Sequence, residues 1–243
     1  MWFLNSNAFG NSVTKLSRAG VLLGAFPVDG NPGAIAFDGT NMWVTTSAGT
    51  VIELSPAGAT LGTFTVGASA DGLAFDGTNM WVCTDSNVTE LSPTGATLGT
   101  FTIDGPPSNI AFDGTNMWVV DSSLNTVTEL SPAGATLGTF AVGASPYALA
   151  FDGTNMWVAS AASGTVTELS PTGATLGTFA AGAFAIAFDG TNMWVTDVVN
   201  NVTELSPTGA TLGTFPVGEY TLELAFDGEH MWVINRFDYV TEL

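Results

Sequence analysis

Few side chains in this sequence could do chemistry. Its 243 residues hold one histidine, His230, one cysteine, Cys83, and three cations, Lys15, Arg18 and Arg236. General acid–base catalysis needs convergent groups with tuned protonation. A Ser-His-Asp set has only His230 to draw on, and Cys83 has no histidine in its own stretch of sequence. No Cys/His cluster offers zinc a donor set, and no glycine-rich loop opens a helix that could hold phosphate. The acidic residues, by contrast, are patterned. Asp38, Asp76, Asp113, Asp152, Asp189 and Asp227 each precede a glycine. Glu53, Glu90, Glu129, Glu168, Glu204 and Glu242 recur in a second register, with Lys15 in the place of the first. Carboxylate rings of this kind suit calcium. The competing reading, which we prefer, is that Asp-Gly builds a turn and Glu solvates a strand. We therefore expect no catalytic residue, no metal and no cofactor.

The charge balance excludes partners more firmly than it selects them. Three basic residues against 22 acidic ones give a net charge of −19. Nucleic acid binding needs Lys and Arg to displace counterions from phosphate, and an anionic membrane surface needs the same. No apolar run approaches the length of a membrane span, and the start lacks the basic and apolar parts of a signal peptide. The single cysteine permits no internal disulfide. Cys83 stands where other copies of the repeat carry Thr, Val or Ala, which implies a small buried residue.

The acidic registers belong to a repeat of about 38 residues. Met-Trp occurs at Met1-Trp2, Met42-Trp43, Met80-Trp81, Met117-Trp118, Met156-Trp157, Met193-Trp194 and Met231-Trp232, and these pairs contain every Met and Trp in the chain. Each unit holds four short strand candidates. In one copy these are Leu73–Phe75, Met80–Val82, Val88–Leu91 and Thr97–Phe101, separated by Asp-Gly and Ser-Pro-Thr-Gly turns. Apolar residues never recur at helical spacing. Four antiparallel strands in a repeat of this length predict a blade of a β-propeller. The first strand is almost purely apolar, as expected of a strand buried on both faces, and each Trp is expected to fill the gap between neighbouring blades.

The fold class is therefore all-β, a propeller of four-stranded antiparallel blades, in a single domain over 1–243. Counting strands leaves closure open. There are seven second and seven third strands but six first and six fourth strands. Seven blades are favoured, with one or two incomplete; six complete blades plus a hairpin are the alternative. A partner chain, or self-association, could complete the unfinished blade.

The runs LAFDGTNMWVA at 149–159 and TVTELSPTGATLGTF at 165–179 resemble bacterial propellers of the YVTN, NHL and virginiamycin-B-lyase-like group, over essentially the whole chain. That group includes cell-surface proteins, binding scaffolds and an antibiotic lyase. The lyase resemblance implies a metal-assisted elimination that uses histidine and acidic residues, and one histidine cannot supply that set. His230 stands where other copies have Asn in the turn.

Comparison among the copies locates the candidate site. Loops one-two and three-four share one face and barely vary, whereas loops two-three and four-one share the other and differ in every copy. The variable face carries Phe9, Asp85, Asp121, Tyr147, Phe184, Asp197, Tyr220, Arg236, Phe237 and Tyr239. Aromatic residues and Arg are what interface hot spots use. The function this implies is a non-enzymatic scaffold that binds a protein or glycan on that face. A structural repeat subunit of a cell-surface or virion assembly comes second, and a metal-dependent lyase third. The acidic, lysine-poor composition points to an extracellular, cell-surface or virion location.

Overall fold

The computed structural model describes all residues except Ala8, Phe9, Val198, Glu219, Tyr220 and 236–239, together with all side chains except those at 6, 7, 10 and 222 within strands. Among the described residues there are 26 β-strands in seven antiparallel sheets that follow one another along the chain. Sheets two to six have four strands each, and the first and seventh have three. The protein is a seven-bladed β-propeller. The first blade, Trp2–Asn7, Gly10–Leu16 and Leu22–Pro27, lacks a first strand. The seventh, Thr221–Phe226, Met231–Asn235 and Val240–Glu242, lacks a fourth. The seven-bladed reading with two incomplete blades thus holds, and the six-bladed alternative does not. The chain falls into two compact units, residues 1–117 with 131–135, and residues 118–130 with 136–243.

Blade three shows how the repeat becomes a sheet. Its strands are Ala70–Phe75, Met80–Thr84, Asn87–Leu91 and Thr97–Thr102. Asp76-Gly77 turns the chain between the first two strands, with Gly77 at a φ of 95° that L side chains rarely adopt. The second strand is the deepest, buried at every position from Met80 to Thr84, and Cys83 is fully buried as expected. Burial pushes the Cys83 thiol far above its ordinary range, so it is inert packing. The fourth strand has the rim pattern, with Leu98 exposed and Gly99 and Phe101 half-buried.

The first strand departs from expectation. It is only half-buried, and Phe37 is 55% exposed. As an edge of its sheet it has a hydrogen-bonded neighbour on one side only, and its side chains alternate between the two adjoining blades, Ile35 packing with Val13 of blade one and Ala34 and Ala36 with Leu73 of blade three.

The tryptophans do pack between blades. Trp43 of blade two joins Ala70, Leu73 and Met80 of blade three in one buried cluster. Trp157 of blade five joins Ala183, Ile186 and Met193 of blade six. A phenylalanine from the fourth strand of the same blade stacks on each of five tryptophans, as Phe64 does on Trp43 at 5.5 Å and Phe101 on Trp81 at 5.3 Å, and Phe26 meets Trp2 at a tilt. That phenylalanine also reaches the next blade. Phe64 lies over Gly95, where an added Cβ would sit 1.9 Å from its ring. Phe140 covers Gly173 in the same way, also at 1.9 Å. The Ser-Pro-x-Gly turn therefore needs glycine twice over, for its positive φ and for this close approach.

Candidate functional site

On the invariant end of each blade the carboxylates are already engaged. Asp38 Oδ1 accepts the backbone N–H groups of Thr40 and Asn41, both at 2.7 Å, and its Oδ2 accepts the Trp43 indole N–H at 2.7 Å. Asn41 Nδ2 donates to Glu53 Oε1 at 2.7 Å. Asp152, Asn155, Trp157 and Glu168 repeat this arrangement, as do Asp189, Asn192, Trp194 and Glu204. The two acidic registers are thus one hydrogen-bonded clasp that links the turn, the Trp and the third strand. Calcium would have to displace these donors. Among the described residues no group of three or more His, Cys, Asp or Glu could hold a metal ion.

His230 takes the place of Asn in the seventh clasp, with its Nε2 3.4 Å from Glu242 Oε1. Backbone hydrogen bonding from His230, helped by the Trp232 indole and the Glu229 N–H, pulls the Asp227 carboxyl down to about 2. His230 therefore belongs to the framework.

At the variable end the structure scatters most of the sequence-derived candidates. Asp121 is buried, and its Oδ1 accepts Ser123 N–H, Ser123 Oγ–H and Leu124 N–H, closing its own loop. Asp197 does the same for Val199, Asn200 and Asn201. Desolvation would raise its carboxyl, but the Asn201, Asn200 and Val199 donors outweigh that and hold it low. Both aspartates are loop caps. Asp85 is exposed, and its charge adds to burial in raising the carboxyl of Asp71. Only Tyr147 and Phe184 are brought together, stacked at 4.3 Å and 19° at the starts of blades five and six. Tyr147 remains 47% exposed. Phe9, Tyr220, Arg236, Phe237 and Tyr239 lie outside the described residues.

Sequence reasoning missed one further residue. Glu223 lies in the first strand of blade seven, where other blades carry Ala34, Gly72, Asn109, Ala148 and Ala185. This position faces a close neighbour. A Cβ on Gly72 would meet the Asn109 Cα at 2.8 Å. A glutamate there is set deep in protein. Some of its surface stays accessible, but the surrounding mass governs its ionisation, and burial pushes the carboxyl up to about 7. The first strands of blades five, six and seven touch in order. Phe184 packs against the cluster of Ala185, Val217, Leu224 and Met231, on the face of the strand opposite the Glu223 side chain. The available signal was the one acidic residue in a framework position that is otherwise small or amide-bearing.

No protein-family model matches this chain, and no curated protein matches it. Solved structures do. Virginiamycin B lyase from Staphylococcus aureus superposes with a TM-score of 0.86 at 16% identity, covering 99% of this chain and 89% of its own. A catalytically inactive histidine-to-alanine variant of that enzyme, with quinupristin, gives 0.84 at 14% identity over 99% and 93%. A streptogramin B lyase gives 0.85 at 13% identity over 99% and 92%. The fold is that of the streptogramin B lyases. This corrects two expectations. The non-enzymatic scaffold was inferred from the aromatic residues of the variable face and the absence of enzymatic activity from the single histidine, yet the architecture is shared end to end with enzymes. The resemblance in fold stated above is borne out. Its implied metal is not supported at residue level, because the histidine is committed to a clasp and the carboxylates to their donors. No helix among the described residues is long and apolar enough to cross a membrane.

Proposed function

We infer that this chain is a lyase-like propeller with Glu223, in the first strand of blade seven, as the base. The observation that carries this reading is the Glu223 carboxyl, raised to about 7 by burial at a strand position that is small or amide-bearing in the other blades. A base whose pKa lies near the working pH balances availability against proton affinity. In the elimination the Glu223 carboxylate takes a proton from carbon next to a carbonyl. The C–H pair becomes the new C=C bond, and the bond to the leaving group breaks with its electrons on that group. No step needs a metal. The fold shared with lyases supports the reaction class, and the quinupristin bound by one of them supplies the first substrate to test. The acidic, lysine-poor composition supports an extracellular setting.

The test is conversion of quinupristin to a product of unchanged mass with a new alkene absorbance. Glu223→Gln should lower the rate by about 10²- to 10⁴-fold, the usual contribution of a positioned base. His230→Asn, which restores the residue of the other clasps, should leave the rate unaltered. Absence of product, or full activity in Glu223→Gln, contradicts the assignment.

A further inference from the structure

We propose that Tyr147 and Phe184, stacked at the variable end of blades five and six, bind a small organic cation, a tertiary or quaternary ammonium group. The site does not depend on the Glu223 assignment. Its two rings hold one place in consecutive first strands. Tyr147 precedes Ala-Leu-Ala-Phe, and Phe184 precedes Ala-Ile-Ala-Phe. Blades two, three and four have Gly33, Asp71 and Ser108 there. The framework aromatics differ from this pair. They join buried tryptophans such as Trp43 and Trp157 to a phenylalanine, each at 5.5 Å. Tyr147 and Phe184 lie closer, at 4.3 Å and 19°. Phe184 is anchored on the Ala185, Val217, Leu224 and Met231 cluster, and Tyr147 is the ring that meets solvent.

The backbone holds that ring in place. Ser145 and Asn125 are the only non-glycine residues with positive φ among the described residues, at 52° and 59°. Such conformations cost energy and persist where the surroundings enforce them. Here Asn125 Oδ1 accepts the Ser145 N–H at 2.8 Å, and the Ser145 C=O accepts the Ala161 N–H at 2.9 Å. The Asn125 C=O also accepts the Val142 N–H, at 3.0 Å. Tyr147 follows Ser145 by two residues, so its strand starts from a clamped loop. A ring fixed in advance loses little freedom when a ligand settles on it.

The surroundings select positive charge. The Phe184 N–H donates to the Thr196 C=O at 2.9 Å, and Asp197 is the next residue. Gly182, on the other side of Phe184 in sequence, lies against Asp197, where an added Cβ would sit 2.1 Å from the Asp197 Cβ. The aspartate thus backs the loop that carries Phe184, and its capping donors keep the carboxylate ionised. Residues 142–216 hold five carboxylates and no Lys or Arg. An anionic ligand is repelled by that field. A cation is drawn both to it and to the negative face of an aromatic ring. The chain makes one such contact of its own, with Lys15 Nζ 4.9 Å from the Trp2 ring centroid.

The test titrates the whole chain with choline, and separately with the uncharged alcohol in which carbon replaces the choline nitrogen, followed by NMR. Choline should bind saturably with a Kd on the order of 1 mM. The uncharged alcohol should bind about threefold more weakly or worse, the worth of a cation on a partly exposed ring. Tyr147→Ala should weaken choline by at least about threefold, and Tyr147→Phe should retain it, since the ring face and not the hydroxyl is used. Raising the salt concentration should weaken choline and leave the alcohol unchanged. The comparison of the two ligands on the unmodified chain is independent of how any variant folds. No saturable binding of choline up to about 100 mM, or unchanged affinity in Tyr147→Ala, overturns the proposal. Equal binding of the uncharged alcohol would make the pair a neutral apolar platform and overturn it as well.

Discussion

Single carboxylates in this protein have opposite fates, and the difference is what surrounds them. Asp152 accepts two backbone N–H groups and the Trp157 indole N–H, each at 2.7 Å. Asp152→Ala strands those donors and should cost about 2–3 kcal/mol in urea unfolding. Glu223 has burial alone acting on it. Its folded pKa, about 7, lies above the ordinary 4.5, so the folded chain holds a proton that the unfolded chain releases. Its contribution is therefore fully present below pH 4.5 and is lost as pH rises through about 7. Glu223→Gln removes this loss. The variant should gain on the parent in unfolding midpoint between pH 5 and 8, and parallel profiles would contradict the burial. Asp227 has the opposite sign, since its stabilisation is present above 3.8 and lost as pH falls through about 2. None of this was legible in residue types alone. Asp121 and Asp197 looked like ligand-facing residues because aspartate in a variable loop can bind or cap, and only the backbone amides following them decide for capping.

Among elements, the joint between blades depends on one aromatic and one glycine. Phe64 stacks on Trp43 within its blade and lies over Gly95 of the next. Gly95→Ala should destabilise by more than about 1 kcal/mol, through both clash and a φ of 75°. In a Phe64→Ala background the clash is gone and only the backbone strain remains, so the two substitutions should couple by at least about 0.5 kcal/mol. Additive effects would mean that the phenylalanine does not clasp the turn. Strand order was readable from the sequence, because Met-Trp, Asp-Gly and Ser-Pro-x-Gly mark the strands and turns of the repeat. The half-exposure of the first strand was not, because Ala-Ile-Ala-Phe reads as buried until its position at a sheet edge is known.

For the whole molecule, the sequence specifies architecture far more strongly than activity. Seven tryptophan-bearing hairpins require seven sheets, and lyases at 13–16% identity share that architecture over 99% of the chain. Repetition that identical favours framework residues and hides the site, because chemistry sits where one copy breaks the pattern. Glu223 is such a break, inside a strand, whereas attention to loops selects the variable ends of blades. The most direct measurement is a ¹³C NMR titration of the glutamate side-chain carboxyls in the intact chain. One resonance should titrate near pH 7 and be missing from Glu223→Gln. If every glutamate titrates between 4 and 5, the buried base does not exist and the lyase assignment falls with it.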